Sequence, residues 1–281
     1  MARMTTYVGP KIQIQPNELD RYDNGKFAVE AKHDGYWAEV TTGDSGRIIR
    51  LVGRSGTKFE GSNVDGLIGL DLGVQNSVFA AELEAGTEAS NKTHAKHGYR
   101  RIHIFDVICL LGHSTTSLAY EKRRELLELT FPTNMKRVLL TKRVTSDFKK
   151  FFKQIVSSGG EGVVIKRLGK AYKGQGADGK TNDWIRCKQF RYVDYVVVDV
   201  GKSEGGSPNL QVGLFIRGKL ERVATIKSPP PNLDLRALIG KVIECKGAEI
   251  HDSGALRHGH YERTRDDKQP EECTLEAALN A

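Results

Sequence analysis

The chain has 281 residues, a formal net charge of +8 and a sequence pI near 9.2. This length accommodates a domain of ~190 residues followed by one of ~90, each able to bury a core. An excess of Lys and Arg favours a polyanionic partner, because clustered cations bind phosphate backbones. A basic protein without such a partner is the simpler alternative.

The cysteines and the apolar segments exclude several classes of protein. Cys109, Cys187, Cys245 and Cys273 lack C-x-x-C spacing, which argues against a zinc site or a disulfide framework and predicts a reducing compartment. The N-terminal residues have no signal-peptide core, and no apolar run approaches the ~20 residues that span a bilayer. We therefore expect a cytoplasmic monomer that does not contact a membrane. The short length suits a viral origin.

The first strands lead to a lysine that requires explanation. Lys11–Gln15 alternates as a short strand, and Phe27–Lys32 forms another that ends in Lys32-His33-Asp34-Gly35. Asp and Gly suit a tight turn that places the amine at the edge of a pocket. An amine with a pKa of about 10.4 attacks only where its neutral form is favoured, and attack on a nucleotide α-phosphorus would give a lysyl phosphoramidate. An exposed lysine on a surface turn is the alternative.

A hairpin follows the lysine. Tyr36–Val40 alternates as a strand, Gly43–Gly46 supplies the turn, and Ile48–Val52 returns. The second strand ends at Arg54, which lies between glycines and could bind a phosphate or a ribose, or could simply be a solvated turn residue. A short helix is expected over Val64–Leu70.

Acidic residues occur on the next strands. Val78–Gly86 is an apolar strand that carries Glu82, and a buried carboxylate needs a partner such as a metal-bound nucleotide. Ile102–Ile108 is a further strand with adjacent aromatic and acidic residues. His94 and His97 have H-x-x-H spacing, but no third ligand lies nearby, so no metal site is predicted there.

Two helices and two strands complete the first part of the chain. Helical spacing predicts Tyr120–Leu129 and Ser146–Val156, the second with Ser146 as its N-cap. A glycine turn then leads to a strand with Glu161 at its start and Lys166 near its end. The strand periodicity of Asp183–Lys188 places Arg186 and Lys188 on one face.

The glycine-rich segment Gly174–Thr181 matches the Walker A pattern, and Val196–Asp199 resembles the end of a Walker B strand. A P-loop must follow a strand and open a helix within a βαβ unit. Here the residues after Thr181 continue with strand periodicity, and too little chain remains for a crossover before Tyr195. A P-loop NTPase is therefore a remote alternative.

The chain after Lys188 has short strands separated by turn residues. Strands are expected over Tyr192–Val200, Leu210–Ile216, Val223–Lys227 and Val242–Ile250, with a helix near Leu233–Leu238. This pattern suits a small Greek-key barrel. Near the end, Arg263, Arg265 and Lys268 form a cationic cluster suited to a polyphosphate, with a solvated basic tail as the alternative.

The order and content of these stretches, from about residue 27 to 273, resemble the ATP-dependent DNA ligases of the covalent nucleotidyltransferase superfamily, in a minimal two-domain form. The resemblance implies an α+β nucleotidyltransferase (adenylation) domain of antiparallel sheets with helices over residues 1–189. A small all-β OB-fold barrel would follow over residues 190–281. Without a separate N-terminal DNA-binding domain, the basic surface of these domains would hold the duplex.

The resemblance also implies a role for each motif. Lys32 would accept AMP, and Glu30 would help to read the adenine. Glu161 and Glu82 would bind the metal, the latter as an acidic ribose or metal contact. The remaining implied nucleotide contacts are Arg54 on the ribose and the nick, Phe105 stacked on adenine, Lys166, Arg186 and Lys188 as catalytic cations, and Arg263, Arg265 and Lys268 on the leaving pyrophosphate.

The chain departs from the family pattern at four positions. Trp37 stands five residues after Lys32, where the family usually has an arginine, so one phosphate or ribose contact is not accounted for. Arg186 replaces a lysine, which keeps the charge but not the geometry. Ala80 and Ala81 replace the acidic residue and the glycine that usually precede Glu82, so its metal role is less well supported than that of Glu161.

The implied activity is the sealing of 5′-phosphate/3′-hydroxyl nicks in duplex DNA, as in replication, repair and recombination. It would use ATP and Mg²⁺, with Mn²⁺ as a substitute, and would pass through lysyl-AMP and DNA-adenylate. The alternatives are an RNA ligase or a GTP-using RNA capping guanylyltransferase of the same superfamily. A non-catalytic nucleic-acid binding module and the P-loop NTPase are more remote.

Overall fold

A computed structural model gives the fold and describes residues 6–64, 66–84, 99, 101–131, 135–174, 178–203, 205–227 and 229–281. The chain divides into two units, Met1–Lys188 and Gln189–Ala281. Both are built mostly of strands with few helices. Among the described residues, no helix is long and apolar enough to cross a membrane.

The first unit contains most of the secondary structure, and nearly all of its predicted strands are confirmed. Its strands are β1 (Gly9–Ile14), β2 (Phe27–Lys32), β3 (Tyr36–Thr42), β4 (Ile48–Gly53), β5 (Val78–Glu84), β6 (Arg101–Leu110), β7 (His113–Ser114), β8 (Val138–Leu140), β9 (Arg143–Val144), β10 (Gly162–Arg167) and β11 (Lys180–Lys188). Its helices are α1 (Tyr120–Thr130) and α2 (Phe148–Ser157).

The first sheet of this unit has five strands in the order β1-β11-β10-β2-β9. Its ladders are antiparallel except for β1 with β11, which run parallel. The register aligns Gly162 of β10 with Lys32 of β2 on one side and with Lys188 of β11 on the other. The two lysines therefore flank the start of β10 in one row across the sheet.

Side chains of this sheet alternate between its two faces, as the pleat requires. One face is apolar: Val163 and Ile185 belong to a core cluster with Phe148 and Phe152 of α2. The alternate residues lie on the opposite face, which carries Glu30, Lys32, Lys166, Trp184, Arg186 and Lys188. A period of two thus gathers the predicted site residues of three strands on one face.

The second sheet follows the order β4-β3-β5-β6-β7, with β8 paired along β6. One face packs into the largest apolar cluster, which includes Phe79, Ile104 and Leu127 of α1. On the opposite face, Trp37 belongs to a cluster with Trp184 of the first sheet. The polar face of the first sheet therefore faces the second sheet.

Two local predictions in the first unit are wrong. Val64 ends a short 3-10 helix, Gly61–Val64, and residues 66–69 form turns, in which Gly66 and Gly69 adopt positive φ values of 73° and 84°. Ser146 does not cap α2. The Asp23 carboxylate instead accepts from the backbone N–H of Phe148 at 3.2 Å.

The Walker-like segment does not form a P-loop. Lys180 and Thr181 are the first residues of β11, so a strand follows the glycine-rich segment and not a helix. Residues 175–177 of this segment lie outside the described part of the chain. The P-loop alternative is therefore wrong in its essential geometry.

The second unit is a small sheet structure with a short terminal helix. Its elements are β12 (Arg191–Lys202), β13 (Pro208–Ile216), β14 (Lys219–Lys227), β15 (Val242–Gly247), β16 (Glu249–Ile250), β17 (Leu256–Arg257), β18 (His260–Thr264) and α3 (Leu275–Leu279). One sheet has the order β14-β13-β12-β15-β18, and β16 pairs with β17.

The described residues of the second unit do not form the closed barrel that the sequence predicted. No ladder joins the edge strands β14 and β18, so the five-stranded sheet stays open along this path. β18 has only five residues, and its ladder is with β15 alone. The helix expected over Leu233–Leu238 is reduced to a 3-10 turn at Arg236–Leu238.

Replacement of Gly162 by alanine tests the alignment of the two lysines. Gly162 has φ 143°, and an added Cβ would lie 2.2 Å from the carbonyl oxygen of Cys187. We expect Gly162→Ala to lower the free energy of unfolding by about 1–3 kcal/mol, measured by urea denaturation. Gly205→Ala is the control, because its added Cβ would meet nothing within 4 Å. Equal stability of the two variants would contradict this packing.

Candidate functional site

A cavity of about 760 Å³ lies between the two sheets of the first unit. This volume lies in the range of small-molecule sites. Aromatic and charged side chains dominate its lining, which includes Tyr7, Tyr36, Trp37, Phe59, Phe105 and Trp184, with Glu30, Lys32, Arg54, Glu82, Lys166, Lys180, Arg186 and Lys188. The cavity therefore brings together the predicted site residues of this unit, apart from Glu161, which binds two of them.

The Glu161 carboxylate bridges two amines. One oxygen accepts from Lys32 Nζ and the other from Lys188 Nζ. Glu161 immediately precedes Gly162, so the register that sets Lys32 and Lys188 on either side of Gly162 also sets the carboxylate between them. All three side chains are only partly exposed, at 21%, 15% and 23% for Lys32, Glu161 and Lys188.

The two amines differ in their proton affinity. Burial acts to lower the pKa of Lys32, but Glu161 and Glu82 outweigh burial and raise the pKa above its ordinary value. Burial lowers the pKa of Lys188, and the nearby charge of Lys32 lowers it further. Lys32 is therefore held as an ammonium ion in this arrangement, while Lys188 is the amine from which a proton is more easily removed.

Glu82 is a second carboxylate near Lys32. Burial raises the pKa of Glu82 to about 8, and repulsion from Glu161 contributes, although Lys32 opposes the shift. The turn after Lys32 lies close to β5, because an added Cβ at Gly35 would be 2.1 Å from the carbonyl oxygen of Leu83. This close approach lets the Gly35 N–H donate to the Glu82 carboxylate.

The imidazole ring of His33, the residue after Lys32, stacks on the ring of His103. The rings of His33 and His103 are 3.7 Å apart between centroids, and His103 Nε2 is 2.7 Å from Glu84. Burial, together with His103 and Lys32, lowers the pKa of His33 well below its ordinary value. The residue next to Lys32 therefore adds no charge at neutral pH. His94 and His97 lie outside the described residues.

Glu30 belongs to a buried polar network at another part of the cavity. Its Oε1 accepts from Tyr120 Oη at 2.6 Å and from Arg124 Nη1 at 3.3 Å. Its Oε2 pairs with Lys166 Nζ at 2.7 Å, and both side chains are 1% exposed. Such a pair is retained in a core only when each charge is compensated, as it is here.

A catalytic cation that binds phosphate is expected to be exposed to solvent. Lys166 is instead buried and paired with Glu30. Its amine also donates to the Phe105 carbonyl oxygen at 3.1 Å. The amine lies 4.2 Å from the centroid of the Trp184 ring and 4.9 Å from that of Phe105. Aromatic faces and Glu30 thus hold Lys166 in place beside the cavity.

Asp106, next to Phe105, is held by a buried ion pair. Arg123 of α1 donates to both carboxylate oxygens, at 2.7 and 3.1 Å, and the two side chains are 0% and 1% exposed. This bidentate contact ties β6 to α1. The Phe-Asp dipeptide therefore combines an aromatic side chain at the cavity with an anchor in the core.

Sequence reasoning missed several residues of the cavity. Trp184 alternates with Arg186 and Lys188, so strand periodicity could have placed it on the same face. Tyr120 does not line the cavity but donates to Glu30 from the core, and the helical spacing that predicts α1 gives no signal for this contact. Tyr7 gives no sequence signal, because it lies in a short polar segment before β1. Lys180 was obscured by its match to the P-loop pattern.

The predicted cationic cluster of the second unit is neutralised by acidic side chains. Arg263 donates to Glu244 at 2.9 and 3.1 Å. Arg265 and Lys268 both contact the Asp194 carboxylate. The hydrogen bonds that Arg265 donates to Asp267 and the charge of Asp194 raise the pKa of Arg265. The structure brings these cations together as an ion-pair network, not as free charges.

Comparison with known proteins identifies relatives of both sequence and fold. A model of the ATP-dependent DNA ligase domain family matches residues 71–188. A probable DNA ligase of Dictyoglomus thermophilum is 31% identical over 123 residues, covering 41% of this chain and 21% of that protein. DNA ligase 1 of Korarchaeum cryptofilum is 29% identical over 209 residues, covering 62% of this chain and 37% of that protein. The chain thus spans a minor part of these relatives.

Solved structures share the fold at low identity. A Lig E DNA ligase, described as binding DNA with a minimal scaffold, has a TM-score of 0.65 at 18% identity, covering 92% of this chain and 99% of its own. The ligase domain of M. tuberculosis LigD has a TM-score of 0.55 at 21% identity, covering 95% and 96%. These likenesses concern the fold, whereas the family match and the curated relatives concern the sequence. The resemblance predicted from the motifs is confirmed by these sequence matches, and residues 71–188 match the ATP-dependent DNA ligase domain family.

Proposed function

We propose that the chain seals 5′-phosphate/3′-hydroxyl nicks in duplex DNA, using ATP and a lysyl-AMP intermediate on Lys32. The observation that carries this proposal is the row of Lys32, Glu161 and Lys188 at the cavity of the first unit. A nucleophilic amine, a second cation and an exchangeable carboxylate meet there. Covalent nucleotidyl transfer requires this combination.

In the first step, Lys32 Nζ forms a bond to the α-phosphorus of ATP, and the bond from that phosphorus to pyrophosphate breaks. Lys32 must lose a proton, and the Glu161 carboxylate is hydrogen-bonded to the amine and can accept it. Lys188 and Arg186 offset the negative charge that develops on the phosphoryl oxygens. Phosphoryl transfer depends mainly on such positioning and charge compensation.

The network around Glu30 suits an adenine base. A carboxylate accepts hydrogen bonds and donates none, so Glu30 favours an exocyclic amino group over a carbonyl oxygen at the same position. Tyr120 and Lys166 fix its orientation. Phe105 and Trp184 supply aromatic surface for the base. A guanine carbonyl facing Glu30 would be repelled, which favours ATP over the GTP of capping enzymes.

The acidic residues fit a divalent cation. Glu161 and Glu82 both lie beside Lys32, and burial, with a smaller contribution from repulsion by Glu161, raises the pKa of Glu82. A bound cation would stabilise the ionised form of both carboxylates. Mg²⁺ usually binds one or two carboxylates together with waters and substrate phosphates. Glu161 and Glu82 would hold Mg²⁺, which would supply positive charge to offset that of the substrate phosphates. Mn²⁺ would fit the same oxygen ligands.

The later steps transfer AMP to the 5′-phosphate of the nick, after which the 3′-hydroxyl attacks that phosphate and releases AMP. We assign these steps to a nucleotidyltransferase domain over residues 1–189 and an OB-fold domain over residues 190–281. Support comes from the division of the chain after Lys188 and from the strand order of the second unit, in which β12 pairs with both β13 and β15. The cations Arg263, Arg265 and Lys268 would orient pyrophosphate once their acidic partners release them.

Intact mass after incubation with nucleotide tests the covalent step. We expect wild-type protein with Mg²⁺ and ATP to gain the mass of AMP, and Lys32→Ala to gain nothing, because the amine is the acceptor. GTP and NAD⁺ should give no adduct. Lys122→Ala is the matched control, since its amine pairs with Glu125 and does not line the cavity, whereas Lys180→Ala tests the P-loop alternative.

The outcomes separate the alternatives. Loss of the adduct in Lys180→Ala with retention in Lys32→Ala would exclude Lys32 as the nucleophile. An adduct from GTP would favour a capping enzyme, and sealing of RNA nicks alone would favour an RNA ligase. No adduct with any nucleotide, even after pyrophosphate treatment, would leave a non-catalytic binding module.

Glu82 predicts a pH dependence of stability. Its pKa is about 8 in the folded protein, against 4.5 as the ordinary value, so the folded state binds more protons between these pH values. The free energy of unfolding therefore falls as pH rises through this window, by at most ~1.4 kcal/mol per unit from this group. Glu82→Gln should remove that part of the slope, measured by urea unfolding without nucleotide. Glu60→Gln, at an exposed site, is the control, and parallel curves for wild type and Glu82→Gln would contradict the shift.

A further inference from the structure

Arg54 differs from the other cations of the cavity. Lys32 and Lys188 are bound to Glu161, and Lys166 is bound to Glu30. Among the described residues, the guanidinium of Arg54 has no ion pair or hydrogen bond, and its contact is the face of the Tyr7 ring at 4.3 Å. A guanidinium carries five N–H donors, so those of Arg54 remain available to a ligand in the cavity.

Tyr7 is itself held in place from two directions. Its ring meets that of Trp37 edge-on, at 5.4 Å between centroids and 88° between planes. The backbone around it leaves no room for other side chains: an added Cβ at Gly9 would lie 2.0 Å from the Tyr7 hydroxyl. At Gly179, an added Cβ would lie 2.5 Å from the Tyr7 carbonyl oxygen. The Tyr7 ring is therefore closely packed against Trp37 and the backbone at Gly9.

Trp37, which packs against Tyr7, is also one of the positions at which the chain departs from the family pattern. It stands where the family usually has an arginine, and it is buried at 8% exposure. On β3 it lies opposite Glu82 of β5, so it is in the strand next to a predicted metal ligand. Instead of supplying a cation at this position, the chain supplies the aromatic edge that supports Tyr7.

We propose that Tyr7, braced by Trp37, is a positioning residue that presents Arg54 to a phosphoryl group of the bound substrate. This aromatic support takes the place of the missing arginine. The inference rests on the proposed function. The phosphoryl group belongs either to the nucleotide or to the 5′ end of the nick, since both carry the same oxygens.

An aromatic face suits this purpose better than a carboxylate would. A carboxylate that held Arg54 would occupy the N–H donors and neutralise the charge that a phosphate needs. The face of a tyrosine attracts the cation through its π electrons and leaves the N–H groups free in the guanidinium plane. A guanidinium ordered in this way can bind a phosphate through two parallel hydrogen bonds.

Substitutions at Tyr7 test the proposal in the full chain. Tyr7→Leu should raise KM by about three- to thirty-fold with little change in kcat, the range expected for loss of one cation–π contact. Tyr7→Phe keeps the ring and should restore the wild-type KM. Tyr22→Leu is the matched control, because Tyr22 also packs edge-on, against Phe27, but does not line the cavity.

Two assays distinguish the source of the phosphoryl group. A higher KM for ATP in adduct formation without DNA would assign Arg54 to the nucleotide. A higher KM for a pre-adenylated nicked duplex would assign Arg54 to the nick. Unchanged KM values in both assays for Tyr7→Leu would overturn the proposal, as would failure of Tyr7→Phe to restore them. An equal effect of Tyr22→Leu would also overturn it.

A readout without catalysis separates this inference from the proposed function. The Arg54 Nε–H resonance should be shifted by the ring current of Tyr7, and the shift should vanish in Tyr7→Leu. Addition of pyrophosphate or of a 5′-phosphorylated nicked duplex should move this resonance in wild-type protein. If the protein shows these shifts but forms no AMP adduct, the proposed ligase activity is wrong and the positioning of Arg54 is unaffected. If the shifts are absent, the proposed positioning of Arg54 is wrong.

Discussion

The Glu161 carboxylate, shared between Lys32 and Lys188, is the contact on which the site depends. Backbone register produces it, since Gly162 aligns with both lysines across neighbouring ladders. The arrangement has an electrostatic consequence: the amine that we propose as the nucleophile is stabilised as an ammonium ion. In the proposed mechanism, Lys32 becomes reactive once Glu161 accepts its proton. The proposed chemistry thus begins with a proton transfer to one carboxylate.

The region around Glu30 differs from the Glu161 contact in that its charges are buried and fully paired. There the charges of Glu30 and Lys166 are fully buried and mutually compensated, with Tyr120 and Arg124 as further partners. Removal of one partner from such a pair leaves an uncompensated charge in the core, so the network is rigid. One cavity therefore combines a fixed region suited to recognising a base with an exchangeable region suited to phosphoryl transfer.

Much of this organisation could be predicted from sequence, because strand periodicity alone places Arg186 and Lys188 on one face and the motifs follow a recognisable order. Contacts between distant segments could not be predicted. The pairing of Lys166 with Glu30 depends on the β2–β10 ladder and on burial, and Tyr7 reaches Arg54 only through the parallel pairing of β1 with β11. The Ser146 cap was wrong because Asp23, far away in sequence, competes for the same N–H group.

The most direct test of this account is the pKa of the Lys32 amine, measured by NMR of protein with labelled lysine side chains, in wild type and in Glu161→Gln. The account predicts a pKa above the ordinary lysine value in wild type and a lower pKa in the variant, because the carboxylate that stabilises the ammonium ion is gone. The same pKa in both proteins, or a higher pKa in Glu161→Gln, would contradict the claim that Glu161 controls the charge of the nucleophile.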